Sequence, residues 1–450
     1  LPEVETPKRR LYLKSKLLWT GVVLILYFLL SMIPLYGLSP EYKARFEMLA
    51  VLLAAQFGSL ITLGIGPIVT GSIVLQLLVG AEILKIDLKT PEGRNAYQGL
   101  QKAFTIFFIV FENAMYVLSG ALPPSTPTGL NVVLLIVQLI AGGFLLMLLD
   151  EVVSKWGIGS GVSLFIAAGV SREIFVNAFS PMIDPVSGYS VGAVFRFFQL
   201  LASFPGAALW PLVSIIATIL VFILSIYFQS IRVEIPLRFV RARGLAMRWP
   251  VNLFYTSNMP VILTAALIAS LQFWGLMMYH AGFPLLGSYE KVYVAGGYRE
   301  EPVSGLVRYL QPPDIGRLYR FGITSDDLIS IAVYSTLMLT GCIIFSVLWI
   351  SIGGQDPASV ADQILSSGLS IPGFRRDRRI LETILSKYIL PLTIIGGFLV
   401  GLLAVFADLF GALSRGTGIL LTVMILYQFY QEIMRFHLED LHPALRKVLA

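Results

Sequence analysis

Side chains able to do chemistry are scarce in this chain, and Glu112 is the most conspicuous of them. It sits near the centre of the apolar run FTIFFIVFENAMYVLSG. A carboxylate at that depth is costly in hydrocarbon and is a functional candidate by default. The expected setting is the bundle interior, beside hydroxyls such as Thr70 or Ser270, where a plain helix-to-helix hydrogen bond would equally account for it. The other chemistry-bearing residues are basic. The stretch RVEIPLRFVRARGLAMRW holds Arg232, Arg238, Arg241, Arg243 and Arg248, and IPGFRRDRRI holds Arg375, Arg376, Arg378 and Arg379. Arginine in preference to lysine suits bidentate contacts to phosphate or carboxylate. These loops therefore read as docking sites for an acidic partner such as ribosomal RNA or an acidic protein face, although cytoplasmic loops carry positive charge in any case. Enzyme chemistry finds no support. There is no GxxxxGK[ST] phosphate-binding loop and no credible nucleophile–base pair. The single Cys342 excludes an internal disulfide framework or a cysteine-built metal site, and three histidines argue against a histidine cluster. No cofactor and no metal are expected.

The elements around these residues are membrane helices. Of 450 residues, 56% are hydrophobic and only 13% charged, too little charge for a soluble globular protein. Ten apolar segments, 17–36, 60–82, 103–121, 130–149, 158–178, 209–228, 255–279, 328–349, 388–407 and 417–434, are each near the ~20 residues that span the hydrocarbon. The predicted fold class is an all-α polytopic membrane protein with ten transmembrane helices. No cleavable leader is apparent in the basic stretch before the first segment. Of the 33 lysines and arginines, 23 fall in loops on the N-terminal side of the membrane. Five of the remaining ten share the loop 280–327 with six acids. Positive loops mark the cytoplasm, so both termini are expected there.

Two segments are broken by proline. The second reads GIGPIVTGSIVLQLL and the seventh SNMPVILTAALIASLQ; the fifth, GIGSGVSLFI, resembles the tenth, SRGTGILLTV. Matching segments lie five apart, so the two halves enter the membrane in opposite orientation, the shape of an inverted repeat with a pathway at the repeat interface. Backbone groups freed at a break must be satisfied by protein or water. The reading is a short half-helix over about 48–62, a turn, then a spanning helix from Pro67. Beside the breaks, Ile65 and Val69, and Val162 and Ile166, lie four apart on one helix face, and Ile262 and Leu421 follow the other two breaks. If the breaks meet, these six side chains form an aliphatic collar that blocks water and ions by dewetting and bulk. A secondary transporter shares the repeat, the breaks and the membrane carboxylate. It would gather hydroxyls, amides and charges at the breaks, where this chain gathers Ile, Val and Leu. An ion channel lacks its polar filter for the same reason.

Six motifs in order, TLGIGPIVTGSIVLQLL, DEVVSKWGIGSGVSLFIAAGV, RVEIPL, SNMPVILTAALIASLQFWGL, IPGFRR and FGALSRGTGILLTV, resemble the SecY family, the central subunit of the protein-conducting channel, in its archaeal form. The resemblance covers residue 17 to the C-terminus. It implies two pseudo-symmetric halves, 1–184 and 185–450, hinged between segments five and six. It implies a channel that translocates unfolded polypeptides across the plasma membrane and releases hydrophobic segments sideways into lipid. It makes 48–62 a plug, with Ala54, Ala55, Phe57, Gly58 and Leu60, and makes Ile65, Val69, Val162, Ile166, Ile262 and Leu421 the pore ring. A lateral gate would hold Thr70, Gln76, Glu112, Asn258 and Ser270. The basic loops 229–254 and 350–387 would bind the ribosome or a cytosolic motor through Arg238, Arg241, Arg243, Arg248, Arg375 and Arg376. Implied partners are a SecE-like small membrane subunit, a third small subunit, signal-bearing nascent polypeptides and the lipid bilayer.

Overall fold

Each of the ten apolar segments folds into a helix, because in hydrocarbon only intrasegment hydrogen bonds satisfy the backbone. The structure is a computed structural model, describing residues 3–9, 11–37, 58–80, 83–84, 86, 90–118, 122, 124, 128–181, 183, 188–239, 246–256, 259–280, 282–294, 297–311, 324–366, 369–370 and 377–441. The ten helices are α1 (Leu13–Met32), α2 (Gly66–Gly80), α3 (Pro91–Leu118), α4 (Gly129–Trp156), α5 (Gly161–Phe179), α7 (Leu209–Ser230), α8 (Met259–His280), α10 (Ser325–Ile352), α12 (Arg378–Leu409) and α13 (Gly416–Leu441). Seven of them are long and apolar enough to cross a membrane by length and composition. Of the other three, α2 has only 15 residues, while α3 opens with PEGRNAYQGLQK and α13 closes with QEIMRFHLEDL. Among the described residues three further helices lie between the segments: α6 (Ala193–Ser203), α9 (Leu306–Tyr309) and α11 (Pro357–Ser366).

Helix neighbours repeat. Within the first half, α1 packs on α4 and α5, α2 on α3, α3 on α4, and α4 on α5. Five segments later, α7 packs on α12 and α13, α8 on α10, α10 on α12, and α12 on α13. The second half adds contacts of α8 with α12 and α13. Paired glycines make the closest of these approaches possible. A Cβ on Gly142 would run into the carbonyl of Leu60, and one on Gly143 into Ile109 of α3. Gly396 stands in the same relation to the Leu253 carbonyl, and Gly397 to Cys342 and Ser346 of α10. The halves meet where α13 touches α5 and α1 and where α2 touches α10. Polar contacts reinforce the first of these: Ser414 Oγ donates to Glu173 Oε2 at 2.8 Å, and Asn177 Nδ2 to the Leu413 carbonyl at 2.7 Å.

Strands appear outside the spans. In a three-stranded antiparallel sheet, β1 (Arg232–Phe239) lies between β2 (Ala246–Asn252) and β5 (Leu369–Ser370). Arg238 and Phe239 pair with Ser370 and Leu369, so the two arginine-rich loops are stitched together. A hairpin, β3 (Tyr289–Val294) and β4 (Gly297–Pro302), stands in the loop after α8. Loop sequence alone gave no sign of either sheet, since their strands are short and charged.

The half-helix expected over 48–62 needs correction at its end. Residues 58–65 form turns, with Thr62, Gly64 and Gly66 each donating to the residue three before. Gly58 and Gly64 hold φ of 85° and 53°, the left-handed region that glycine adopts without steric cost. Residues 48–57 lie outside the described residues.

Candidate functional site

Pro67 and Pro260 occupy the second position of α2 and α8. A proline in the first turn forfeits no helical hydrogen bond, because that N–H has no intrahelical partner anyway. Both prolines thus start helices rather than kink them. The chain before each start is pinned in the same way. Leu60 N–H donates to the carbonyl of Ile33, just after α1, at 2.9 Å, and Leu253 N–H donates to that of Ile231, just after α7, at 3.0 Å.

The six expected collar residues belong to one hydrophobic cluster. Ile65, Ile166 and Leu421 are buried in it, and Val69, Val162 and Ile262 are partly buried against it. They come from α2, α5, α8 and α13 and the turn before α2, the four elements that follow the breaks. All six are aliphatic, and the cluster they share runs through the whole bundle.

Beside it lies the polar cluster. The Thr70 hydroxyl of α2 is hydrogen-bonded to the Glu112 carboxyl of α3, as the sequence suggested. One turn and a half further along α2, Gln76 faces Tyr97 of α3, and its Oε1 is buried with no partner. Gln101 Nε2 donates to Ser72 Oγ at 3.0 Å. Ser270 lies in α8, but its side chain is outside the described residues, as is Asn258 altogether. Of the expected plug residues, Ala54, Ala55 and Phe57 are also outside them. Gly58 and Leu60 are described, and both lie against the exit of α1, Gly58 accepting from Leu35 N–H at 2.8 Å.

Arg248 on the sheet is not free. Its Nη1 donates to Glu234 Oε2 across the β1–β2 ladder at 2.8 Å. Glu234 holds the guanidinium still more firmly protonated, but the pair is exposed and such pairs add little. Arg238 is placed by its backbone in β1. Arg241, Arg243, Arg375 and Arg376 lie outside the described residues. Arg378, two residues after IPGFRR, pairs with Asp362 at 2.9 Å.

Several interactions escaped sequence reasoning. Lys102 of α3 pairs with Glu151 of α4. The chain before α1 lies over the end of α4: Lys155 Nζ donates to Glu3 Oε1 and to the Val4 carbonyl, both at 2.7 Å, and Trp156 Nε1 to the Glu5 carbonyl at 2.8 Å. Lys155 holds the Glu3 carboxyl below the usual carboxylate range. Asp150 and Asp408 each reach the start of the following helix. The signal for these two was present: GGFLLMLLD in segment four and GGFLVGLLAVFAD in segment nine both run from a glycine pair to an aspartate. Among the described residues no cluster of His, Cys, Asp and Glu could hold a metal ion.

A family model described as SecY matches residues 59–430, and a second, the plug domain of Sec61p, matches 25–58. The protein translocase subunit SecY of Pyrococcus furiosus is 45% identical, over 99% of this chain and 96% of that protein. Its namesake from Methanocaldococcus jannaschii is 42% identical, over 100% of this chain and 97% of that protein. Among solved structures, one described as a protein conducting channel superposes with TM-score 0.80 at 41% identity, covering 99% of this chain and 97% of that chain. Sec61 in the canine ribosome–channel complex from the endoplasmic reticulum gives TM-score 0.77 at 41% identity, with the same coverage.

Proposed function

The chain belongs to the SecY family, whose members are protein-conducting channels of the membrane and not enzymes, and on that premise we propose how this polypeptide conducts and seals. The pore is closed at its waist by Ile65, Val69, Val162, Ile166, Ile262 and Leu421. An aliphatic collar grips any side chain without specificity and excludes ions by dewetting when empty. The observation that supports this reading is that six aliphatic side chains, on four elements that each begin at a break in a spanning segment, all belong to one apolar cluster.

The rest of the reading follows from position. The ten helices cross the membrane ten times, with halves 1–184 and 185–450 and both termini in the cytoplasm of a cell whose plasma membrane holds the channel. The segment ending at Gly58 and Leu60 is the plug below the collar. Thr70, Gln76, Glu112, Asn258 and Ser270 line the seam between α2–α3 and α8–α10, through which hydrophobic segments leave for lipid. The contact of α2 with α10 supports a closed seam. The partnerless Gln76 oxygen supports one that is only weakly held. The joined loops carrying Arg238, Arg241, Arg243, Arg248, Arg375 and Arg376 receive the ribosome or a cytosolic motor. A SecE-like subunit and a third small subunit complete the channel. The apolar breaks give a solute-transporter site nothing to bind with.

A crosslink tests the collar. With Cys342 replaced by Ser and a single Cys at position 262, the reconstituted complex is loaded with a stalled, signal-bearing chain carrying a Cys probe. A disulfide that vanishes when the signal is deleted is expected. Absence of crosslinks from 262, 69 and 421 in turn, with substrate demonstrably bound, sinks the collar.

A further inference from the structure

Two buried aspartates occupy equivalent places in the two halves. Asp150, in the last two turns of α4, accepts from the N–H of Val162 at 2.8 Å through Oδ1, and also from Gly161. Asp408, in the last turn of α12, accepts from the N–H of Gly416 at 2.7 Å through Oδ1 and from the Tyr334 hydroxyl at 2.6 Å through Oδ2. Each carboxylate closes one spanning helix and caps the next. The residue preceding α5, Ser160, makes no side-chain cap of its own; the carboxylate of the previous helix takes its place. Both capped helices open on glycine where the preceding helix leaves no room. A Cβ on Gly161 would lie 2.5 Å from Asp150 Cα, and one on Gly416 would run into the Ala404 carbonyl.

The capped helices are α5 and α13, and Val162, whose amide Asp150 holds, is itself a collar residue; Leu421 stands five residues after Gly416. We propose that Asp150 and Asp408 are positioning residues of the seal, each fixing the height and tilt of a collar-bearing helix against the helix before it. The inference rests on the collar reading above. A carboxylate on the free N–H groups of a first turn makes charge-assisted hydrogen bonds and complements the helix dipole. Such a contact is rigid, and a seal made of bulk tolerates little movement of its side chains. The two halves differ in what else they tie. Tyr334 belongs to α10, which touches α2 at the proposed seam, so Asp408 joins the gate helix to the pore helix through a single carboxylate. In the first half the bond from α3 goes instead to the neighbouring Glu151, through Lys102, leaving Asp150 to the cap alone. The second half therefore couples gate to collar more directly.

The test measures resting ion leak of the reconstituted complex without substrate, at a temperature well below its melting transition. Asp150→Ala and Asp408→Ala are expected to raise the leak about tenfold. Asp150→Asn and Asp408→Asn keep the shape but offer a weaker, neutral acceptor, and should raise it two- to threefold; they carry the test if the alanine variants fail to assemble. Tyr334→Phe cuts only the tie to α10. It should leave the leak at the wild-type level while increasing transport of substrates with defective signals, a split that mere loss of stability does not produce. Leu421→Gly is the control. If it leaks while the aspartate variants seal like wild type, the caps are overturned and the collar stands. If it too seals, the collar is overturned and this inference with it. Leak from Tyr334→Phe equal to that from Asp408→Ala also overturns the assignment of separate roles to the two oxygens.

Discussion

The connection from α1 to α2 and the connection from α7 to α8 are built on one frame and filled with opposite contents. In both, the first residue past a spanning helix, Ile33 or Ile231, accepts from a leucine N–H, that of Leu60 or Leu253. In both, an antiparallel bridge follows at once, Pro34 with Ser59 and Arg232 with Asn252. The leucine carbonyl lies under a glycine of the fourth helix of its half, Gly142 or Gly396, and a proline then starts the next span. Between the bridged residues, the first connection carries the apolar EMLAVLLAAQF and the second a basic stretch with four arginines. The frame thus fixes where an insert leaves the bundle, and on the proposed reading the apolar insert is the plug and the basic one the partner-docking loop.

The largest effect is expected where the frame is tightest. Gly142→Leu and Gly396→Leu force a side chain against backbone, and overpacking of this kind costs about 1–3 kcal/mol or more. Both should lower the melting temperature of the purified complex, Gly142→Leu further, since its Cβ would meet the Leu60 carbonyl more closely. Equal tolerance of leucine at both sites would break the likeness of the two frames. The inserts come next. Replacing Arg241, Arg243 and Arg375 together by Glu is expected to weaken ribosome binding at least tenfold and flatten its salt dependence, as loss of phosphate contacts does. Replacing Ala54 and Ala55 by Asp should leave ribosome binding unchanged and raise resting leak instead. An exchange of these two phenotypes would refute the division of labour. The weakest effect is expected at the strap before α1. Because Lys155 depresses the Glu3 carboxyl, the contact is present above the ordinary carboxylate pKa and is lost as pH falls through the lowered value. Protection of the N-terminal amides from exchange should therefore fade in the wild type only below the ordinary carboxylate pKa, and Glu3→Gln should show the reduced level already at neutral pH.

Much of this was legible in the chain. Ten apolar runs gave ten helices, because a spanning segment has no choice but to satisfy its own backbone, but several helices run well past the apolar stretch: α3 begins at Pro91 rather than 103, α12 at Arg378 rather than 388, and α13 ends at Leu441 rather than 434. The match of GIGPIVTG with NMPVILTA gave the repeat, and the depth of Glu112 pointed to a hydroxyl partner, Thr70 or Ser270, of which Thr70 takes the contact. The strands of the basic loops were not legible. β5 has two residues and pairs with a strand more than a hundred positions away, so no local period announces it. The half-helix expected over 48–62 does not reach 62, because the apolar character continues past Gly58 while Gly58 and Gly64 at positive φ turn the chain instead.

By itself the sequence determined the class of the molecule, the order of its apolar helices and the sites where spans are interrupted. All of these depend on composition and on the stereochemistry of single residues, which neighbours in space cannot much alter. Only the tertiary structure decided that the two arginine loops share one sheet and that Asp150 and Asp408 hold the starts of α5 and α13. These depend on distances between segments far apart in the chain, and a glycine or an aspartate looks the same in sequence whatever is packed against it.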